Sequence, residues 1–121
     1  MAVRKHYLAH KEKTRQFVMA RLSHWNQFYN FEIGQVRIKV TTSRWGSCSS
    51  HGNLNFHYQL VFLPSELADY IIVHELCHLG ELNHSRAFWG LIEQTIPDYR
   101  ERVVRLKRYH PLRAHLERQE K

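Results

Sequence analysis

The pattern of apolar positions divides the chain into a helical beginning, a short stranded stretch and a helical remainder. From about residue 3 to residue 29 the pattern is helical, because apolar residues recur at intervals of four, three and four. This apolar series consists of Val18, Leu22, Trp25 and Tyr29. Such spacing stacks the side chains on one face, so we expect an N-terminal helix that buries this face.

Alternation with a period of two follows this helix. Apolar Val36, Ile38 and Val40 are separated by charged residues, which is typical of a half-buried strand. The next stretch is rich in turn-forming residues, and we expect it to form a hairpin with strands near 43–48 and 53–58. The three strands are predicted to form a small antiparallel sheet.

Serine, glycine and proline mark the expected ends of the later helices. Ser65 is expected to cap a helix that ends at Gly80, where glycine can adopt the left-handed conformation. Ser85 is expected to cap the following helix. Pro97 should open the last helix, and Pro111 should interrupt or end it. The order helix, sheet, helices predicts the α+β class.

Length and composition indicate one domain over residues 1–121, because 121 residues with 43% hydrophobic positions fit a single core. Two cysteines cannot form a disulfide framework, and no apolar leader or membrane-length apolar run is present. We therefore expect a cytoplasmic protein without a membrane partner. The formal charge of +7 lies mainly at the two ends, which indicates either solvated helix faces or attraction to nucleic acid.

The central helix carries the motif HExxH. Its two histidines, His74 and His78, lie four residues apart and so share one helix face, from which both imidazoles can reach one metal ion. Glu75 is rotated by about 100° from the first histidine and can approach a water molecule without becoming a ligand. The surrounding helix is apolar on nearly every side. Burying these groups is costly unless they bind an ion or form a hydrogen-bond network of their own.

A catalytic zinc ion requires three protein ligands and one open position. His84 follows the motif by six residues and lies beyond the expected helix end, so the returning chain can bring it to the metal. Glu81 and Glu93 are the alternatives. The metzincin signature has the same outer spacing, but its glycine lies one position later, and this sequence has no methionine after the motif.

Three stretches of the chain together form a recognisable combination: RWGSCSSHGNLNF (44–56), YIIVHELCHLGELNHSRAFW (70–89) and PDYRER (97–102). They resemble the YgjP-like metal-dependent hydrolases, which are related to the SprT-like and WLM metalloproteases. The resemblance implies a minimal zincin-like fold in which His74, His78 and His84 bind zinc. It also implies that Glu75 is the catalytic base.

Three functions are compatible with this site. The first is a metallopeptidase, in which Glu75 takes a proton from zinc-activated water and a peptide is the substrate. The second is a zinc-dependent hydrolase of nucleotide phosphoanhydrides, which the positive charge permits. The third is a DNA-associated SprT-like module in which zinc is mainly structural.

Substrate contacts are expected near the motif. In zincins an edge strand pairs with an extended substrate, and the RWGSC segment is the candidate for this strand. Arg44, Tyr70 and Asn83 are candidate substrate-binding residues, and His57 is a further candidate for stabilising the oxyanion. Cys48 is not assigned to zinc.

Overall fold

The computed structural model describes residues 2–112, and this part of the chain has the predicted α+β architecture. Its helices are α1 (Ala2–Asn26), α2 (Ser65–Cys77), α3 (Arg86–Thr95) and α4 (Tyr99–Leu106). Its strands are β1 (Val36–Lys39), β2 (Gly46–Cys48) and β3 (Leu54–His57), and a 3₁₀ helix, Tyr58–Phe62, follows the last strand. The N-terminal helix, the hairpin and the later helices are confirmed. The 3₁₀ helix was not predicted.

The sheet has the order β1-β3-β2 and is mixed rather than antiparallel. Strands β2 and β3 form the predicted antiparallel hairpin, but β1 runs parallel to β3. The expectation of a fully antiparallel sheet was therefore wrong. The chain between β1 and β2 crosses to the far edge, so that β3 returns between them. Alternation of apolar residues specifies which face of a strand is buried, but it does not specify the neighbouring strand or its direction.

The outer edge of β1 is covered by α1. The hydroxyl of Tyr7 donates to the carbonyl of Ile38 at 3.1 Å, and the guanidinium of Arg15 donates to the carbonyl of Val36 at 2.9 Å. These bonds satisfy two carbonyl groups that face away from β3. Side chains of the first helix therefore close this edge against further strand pairing.

The core is built around α2, which packs against α1, α3, α4 and β2. Most of its residues are buried, as its apolar composition predicts. Val18 and Leu22 of α1 are fully buried, while Trp25 and Tyr29 are partly buried against the same core. The predicted apolar face of the first helix is thus confirmed for Val18, Leu22 and Trp25, whereas Tyr29 lies in the turn after the helix ends at Asn26.

Both ends of α2 differ from those expected. Pro64, not Ser65, is the N-cap of α2. The helix ends at Cys77, and Gly80 does not have a positive φ; it lies in a turn in which its N–H donates to the carbonyl of Cys77 at 3.0 Å. A Cβ at position 80 would lie 2.7 Å from Cζ of Phe31. Glycine at this position allows close packing and is not required by backbone conformation.

The start of α3 agrees with the sequence, but the expected end of α4 does not. The hydroxyl of Ser85 caps α3 by accepting from the backbone N–H of Phe88 at 3.3 Å. The last helix ends at Leu106, so it stops before Pro111 and the proline does not end it. Within residues 2–112, no helix combines the length and the apolarity that a bilayer crossing needs.

Candidate metal centre and catalytic cleft

Three histidines converge at the C-terminal end of α2. One ring nitrogen from each of His74, His78 and His84 lies within 4.8 Å of the others. The Nε2 atoms of His78 and His84 are 3.1 Å apart. Two nitrogens bound to one tetrahedral zinc ion lie about 3.3 Å apart, given Zn–N bonds of roughly 2.0–2.1 Å. The arrangement therefore fits a single ion.

The orientation of His78 also fits a ligand. Its Nδ1 lies 2.9 Å from the carbonyl oxygen of Glu81, to which a protonated Nδ1 donates. With Nδ1 protonated, Nε2 keeps its lone pair, which faces the other histidines. In metal sites, a hydrogen bond from the nitrogen that does not bind the metal fixes the tautomer in this way. Glu81 therefore contributes its backbone, and its carboxylate lies outside the three-histidine cluster. Glu93, the other alternative ligand, is exposed on α3 and also lies outside the cluster.

Aromatic rings hold two of the imidazoles in place. Phe88 is fully buried and stacks on His78, with ring centroids 4.3 Å apart and an interplanar angle of 19°. Trp89 stacks on His84 at 5.8 Å and 27°. Desolvation, together with repulsion by the neighbouring histidines, lowers the pKa of His84. The lower pKa favours the neutral imidazole, which is the form that binds a metal ion.

Glu75 lies beside this cluster and is only 6% exposed. Its Oε2 atom lies 3.2 Å from Nδ1 of His74. On its other side is Gly46 of β2, where a Cβ would lie 2.9 Å from Cγ of Glu75 and 3.3 Å from its Oε2. Glycine is therefore needed at position 46 to leave room for the carboxylate. Sequence reasoning assigned no role to this residue, although a glycine inside a strand often marks such a close approach.

Two neighbouring cavities flank Glu75. One, of about 320 Å³, contains the three histidines and is also lined by Cys48. The other, of about 360 Å³, lies between α2 and the C-terminal end of α4 with the segment that follows it. Both cavities are lined by Arg44, Gly46, His74 and Glu75, so the carboxylate borders both.

Among residues 2–112, no strand pairs with the edge of β2 that lies beside this cleft. Trp45 and Ser49 bond to β3: the carbonyl of Trp45 accepts from His57 N–H at 2.9 Å, and Ser49 N–H donates to Asn53 at 2.9 Å. Since bonding direction alternates along an antiparallel strand, the peptide groups of Gly46 and Cys48 point away from β3. They form the free edge of the sheet.

The candidate substrate-binding residues lie in different surroundings. Arg44 lines both cavities and is exposed. Tyr70 lines the 360 Å³ cavity, and burial, together with the charge of Glu75, raises the pKa of its hydroxyl, which stays a hydrogen-bond donor. Asn83 is exposed and lines neither cavity, so the structure does not bring it to the cleft.

Two other residues near the sheet are also placed by the structure. His57 is 1% exposed, and both of its ring nitrogens are used within the chain; it therefore has a structural role rather than the role of an oxyanion donor. Burial, together with the charge of Glu75, raises the pKa of the Cys48 thiol to about 11. Cys48 lies outside the three-histidine cluster.

The chain is similar to known proteins in both sequence and fold. The family model for the YgjP-like metallopeptidase domain matches residues 3–109. The chain belongs to the YgjP-like metallopeptidase family. The resemblance that the three sequence stretches carry is thereby confirmed. A search of curated proteins finds no match to the chain.

Two solved structures are similar to this family member. One is the metallopeptidase zymogen abylysin of Pyrococcus abyssi, with 26% identity, a TM-score of 0.67, and coverage of 74% of this chain and 90% of that one. The other is the metallopeptidase zymogen jannalysin of Methanocaldococcus jannaschii, with 23% identity, a TM-score of 0.56, and coverage of 76% and 94%. The second likeness bears on the fold alone.

Proposed function

We propose that this chain is a zinc metallopeptidase in which His74, His78 and His84 bind the ion and Glu75 is the catalytic base. The observation that carries the proposal is the convergence of three imidazole nitrogens within 4.8 Å of one another, beside a buried carboxylate. Three neutral nitrogen ligands with space for a fourth partner match a catalytic zinc site. Membership of a metallopeptidase family supports the same reaction class.

The geometry of Glu75 suits proton transfer. Oε2 is in contact with His74 Nδ1, while Oε1 forms no hydrogen bond with any residue in the range 2–112. When bound, zinc supplies Lewis acidity that makes water nucleophilic near neutral pH and polarises the scissile carbonyl. Glu75 accepts the proton of the attacking water at Oε1 and later delivers it to the leaving amine.

The substrate peptide is proposed to bind along β2. The outward peptide groups of Gly46 and Cys48 can form main-chain hydrogen bonds with an extended chain, which then becomes a fourth strand. Arg44 and the protonated hydroxyl of Tyr70 are the candidates for stabilising the oxyanion that develops on the scissile carbonyl.

Substitution of the base tests this assignment. Glu75→Gln should keep about one zinc per chain and lose about 10²–10⁴-fold in kcat, because the amide cannot accept the proton. Zinc is measured by elemental analysis after dialysis, and kcat with a quenched fluorescent peptide library. Glu93→Gln is the matched control, since this glutamate is exposed on α3. Full activity of Glu75→Gln would refute the role of the base, and loss of zinc from Glu93→Gln would refute the three-histidine site.

The same preparation can separate the three functions named above. Peptides and a panel of nucleoside triphosphates are assayed side by side, and release of phosphate without peptide cleavage would contradict the peptidase proposal. DNA association is tested by binding at low and moderate salt. Only binding that weakens steeply with salt would indicate an electrostatic nucleic-acid surface.

A further inference from the structure

The 360 Å³ cavity beside Glu75 has apolar walls. Tyr70 and Ile71 of α2 are buried there, and Val103 and Leu106 of α4 are half-buried on the opposite side. Trp45, directly before β2, forms a further wall. A space of this size and composition is suited to one large apolar side chain.

The rim of the same cavity is basic. Arg44, Lys107 and His110 line it and are exposed. Within residues 2–112, neither Arg44 nor Lys107 forms an ion pair, whereas four other arginines are paired with carboxylates (Arg15, Arg21, Arg102 and Arg105). Of the residues in the range 2–112 that line the cavity, Glu75 alone is acidic. Two cations are therefore available at the mouth of an apolar pocket.

On the basis of the proposed function, we propose that this cavity selects the substrate. It accepts a large apolar side chain next to the scissile bond, while Arg44 and Lys107 bind a carboxylate of the same peptide. Because Glu75 and His74 line both this cavity and the metal cavity, a side chain held here directly adjoins the bond that is cleaved. The carboxylate is either an acidic side chain or the peptide's own C-terminus.

A peptide fits this site better than a nucleotide. The open edge of β2 reaches the cavity at Gly46, so an extended backbone paired with the strand can place one side chain in the pocket. The cations then lie at the rim, where they can meet a carboxylate without burying it.

The specificity is tested with short peptides on one scaffold. Phe, Leu or Ala is placed next to the scissile bond, with Asp or Asn following, and each peptide carries a free or an amidated C-terminus. With the zinc-loaded full chain, kcat/KM should be about tenfold or more higher for Phe and Leu than for Ala. It should be about fivefold higher for a peptide with the carboxylate than for its amide partner, the size of an exposed ion pair.

The rim cations are tested by the double variant Arg44→Gln/Lys107→Gln. The ratio of kcat/KM between carboxylate and amide peptides should fall toward one in this variant and stay unchanged in Lys13→Gln, whose lysine is exposed on α1. Two ratios are compared: Asp against Asn peptides, and peptides with a free against an amidated C-terminus. The ratio that changes in the double variant identifies which carboxylate is bound. Equal cleavage of carboxylate and amide peptides by the unsubstituted protein would overturn the proposal.

Binding distinguishes failure of the pocket from failure of the peptidase function. Fluorescence anisotropy of the same labelled peptides is measured with zinc-loaded Glu75→Gln, alone and combined with the rim substitutions. Tighter binding of Phe-carboxylate peptides that depends on Arg44 and Lys107 supports the pocket even if no peptide is cleaved. Equal binding of peptides with and without the apolar side chain and the carboxylate contradicts the proposed pocket. Binding of ATP in the absence of peptide binding also contradicts it.

Discussion

Two buried histidines, His57 and His78, have different partners. His57 accepts from the N–H of Gln59 at 3.1 Å through Nδ1 and lies 2.9 Å from the carbonyl of Thr41 through Nε2. His78 bonds to the backbone only through Nδ1, which donates to the carbonyl of Glu81 at 2.9 Å, and its Nε2 faces another imidazole nitrogen at 3.1 Å. Two facing imidazole nitrogens need a proton or a metal ion between them. Burial alone therefore does not distinguish the proposed ligand His78 from His57; the nitrogen of His78 that bonds to no backbone group does.

The largest expected effect is on zinc binding at His78. His78→Ala removes one of the three proposed ligands, and we expect zinc affinity to fall by more than about 100-fold. Loss of a residue that only hydrogen-bonds to a metal ligand already costs about 10–100-fold. Elemental analysis and titration with a zinc indicator measure this loss. A His78→Ala protein that retained stoichiometric zinc and activity would remove the distinction between the two histidines.

The matching change at His57 should affect stability and leave zinc in place. His57→Ala removes a buried ring and two hydrogen bonds, so we expect the free energy of unfolding to fall by about 2–4 kcal/mol. Urea denaturation measures the loss, and elemental analysis of the folded variant should still give about one zinc per chain. Loss of zinc from a folded His57→Ala protein would show that this residue also serves the metal site.

A smaller effect is expected at Gly46, which contacts the proposed base Glu75. Gly46→Ala places a methyl group against Glu75, and a displacement of this carboxylate should reduce kcat by about 10–100-fold while zinc is retained. Gly90→Ala is the matched control, because a Cβ at position 90 meets no atom within 4 Å. Equal kcat for the two variants would mean that the contact between Gly46 and Glu75 does not position the base.

The smallest effect is a pH dependence of the metal-free protein. Burial lowers the pKa of His57 in the folded state below its ordinary value near 6.5. Between these two pKa values the unfolded chain binds more protons, so stability falls as pH drops below about 6.5, with a slope of up to about 1.4 kcal/mol per pH unit for this group. His84 contributes with the same sign. The free energy of unfolding is measured by urea denaturation between pH 7.5 and pH 5. It should depend less steeply on pH in His57→Ala than in the parent, and equal dependence would contradict this account.

The sequence was informative where function depends on local spacing. A separation of four residues on one helix predicted that His74 and His78 share a face, and the turn after the helix does return His84 to them. The class of fold and the hairpin also followed from periodicity. These features depend on residues that are near one another in the chain, which is where sequence patterns are most direct.

Features that depend on distant residues were not predicted. The parallel pairing of β1 with β3 is determined by the path of the connecting chain, which alternation does not encode. Gly80 was expected to supply a left-handed residue, but it instead makes room for Phe31, and a sequence does not separate these two uses of glycine. The burial of His57 depends on the loop at Thr41 that folds over it.

All three proposed zinc ligands lie within one short segment, from residue 74 to residue 84. A denatured chain that keeps this segment intact can still gather its imidazoles around an ion. Because affinity for the unfolded state subtracts from the stabilisation that a ligand gives to the native state, saturating zinc should raise the melting temperature only modestly. Zinc would then serve catalysis and contribute little to stability. The thermal stability of the folded domain would come from the packing around α2.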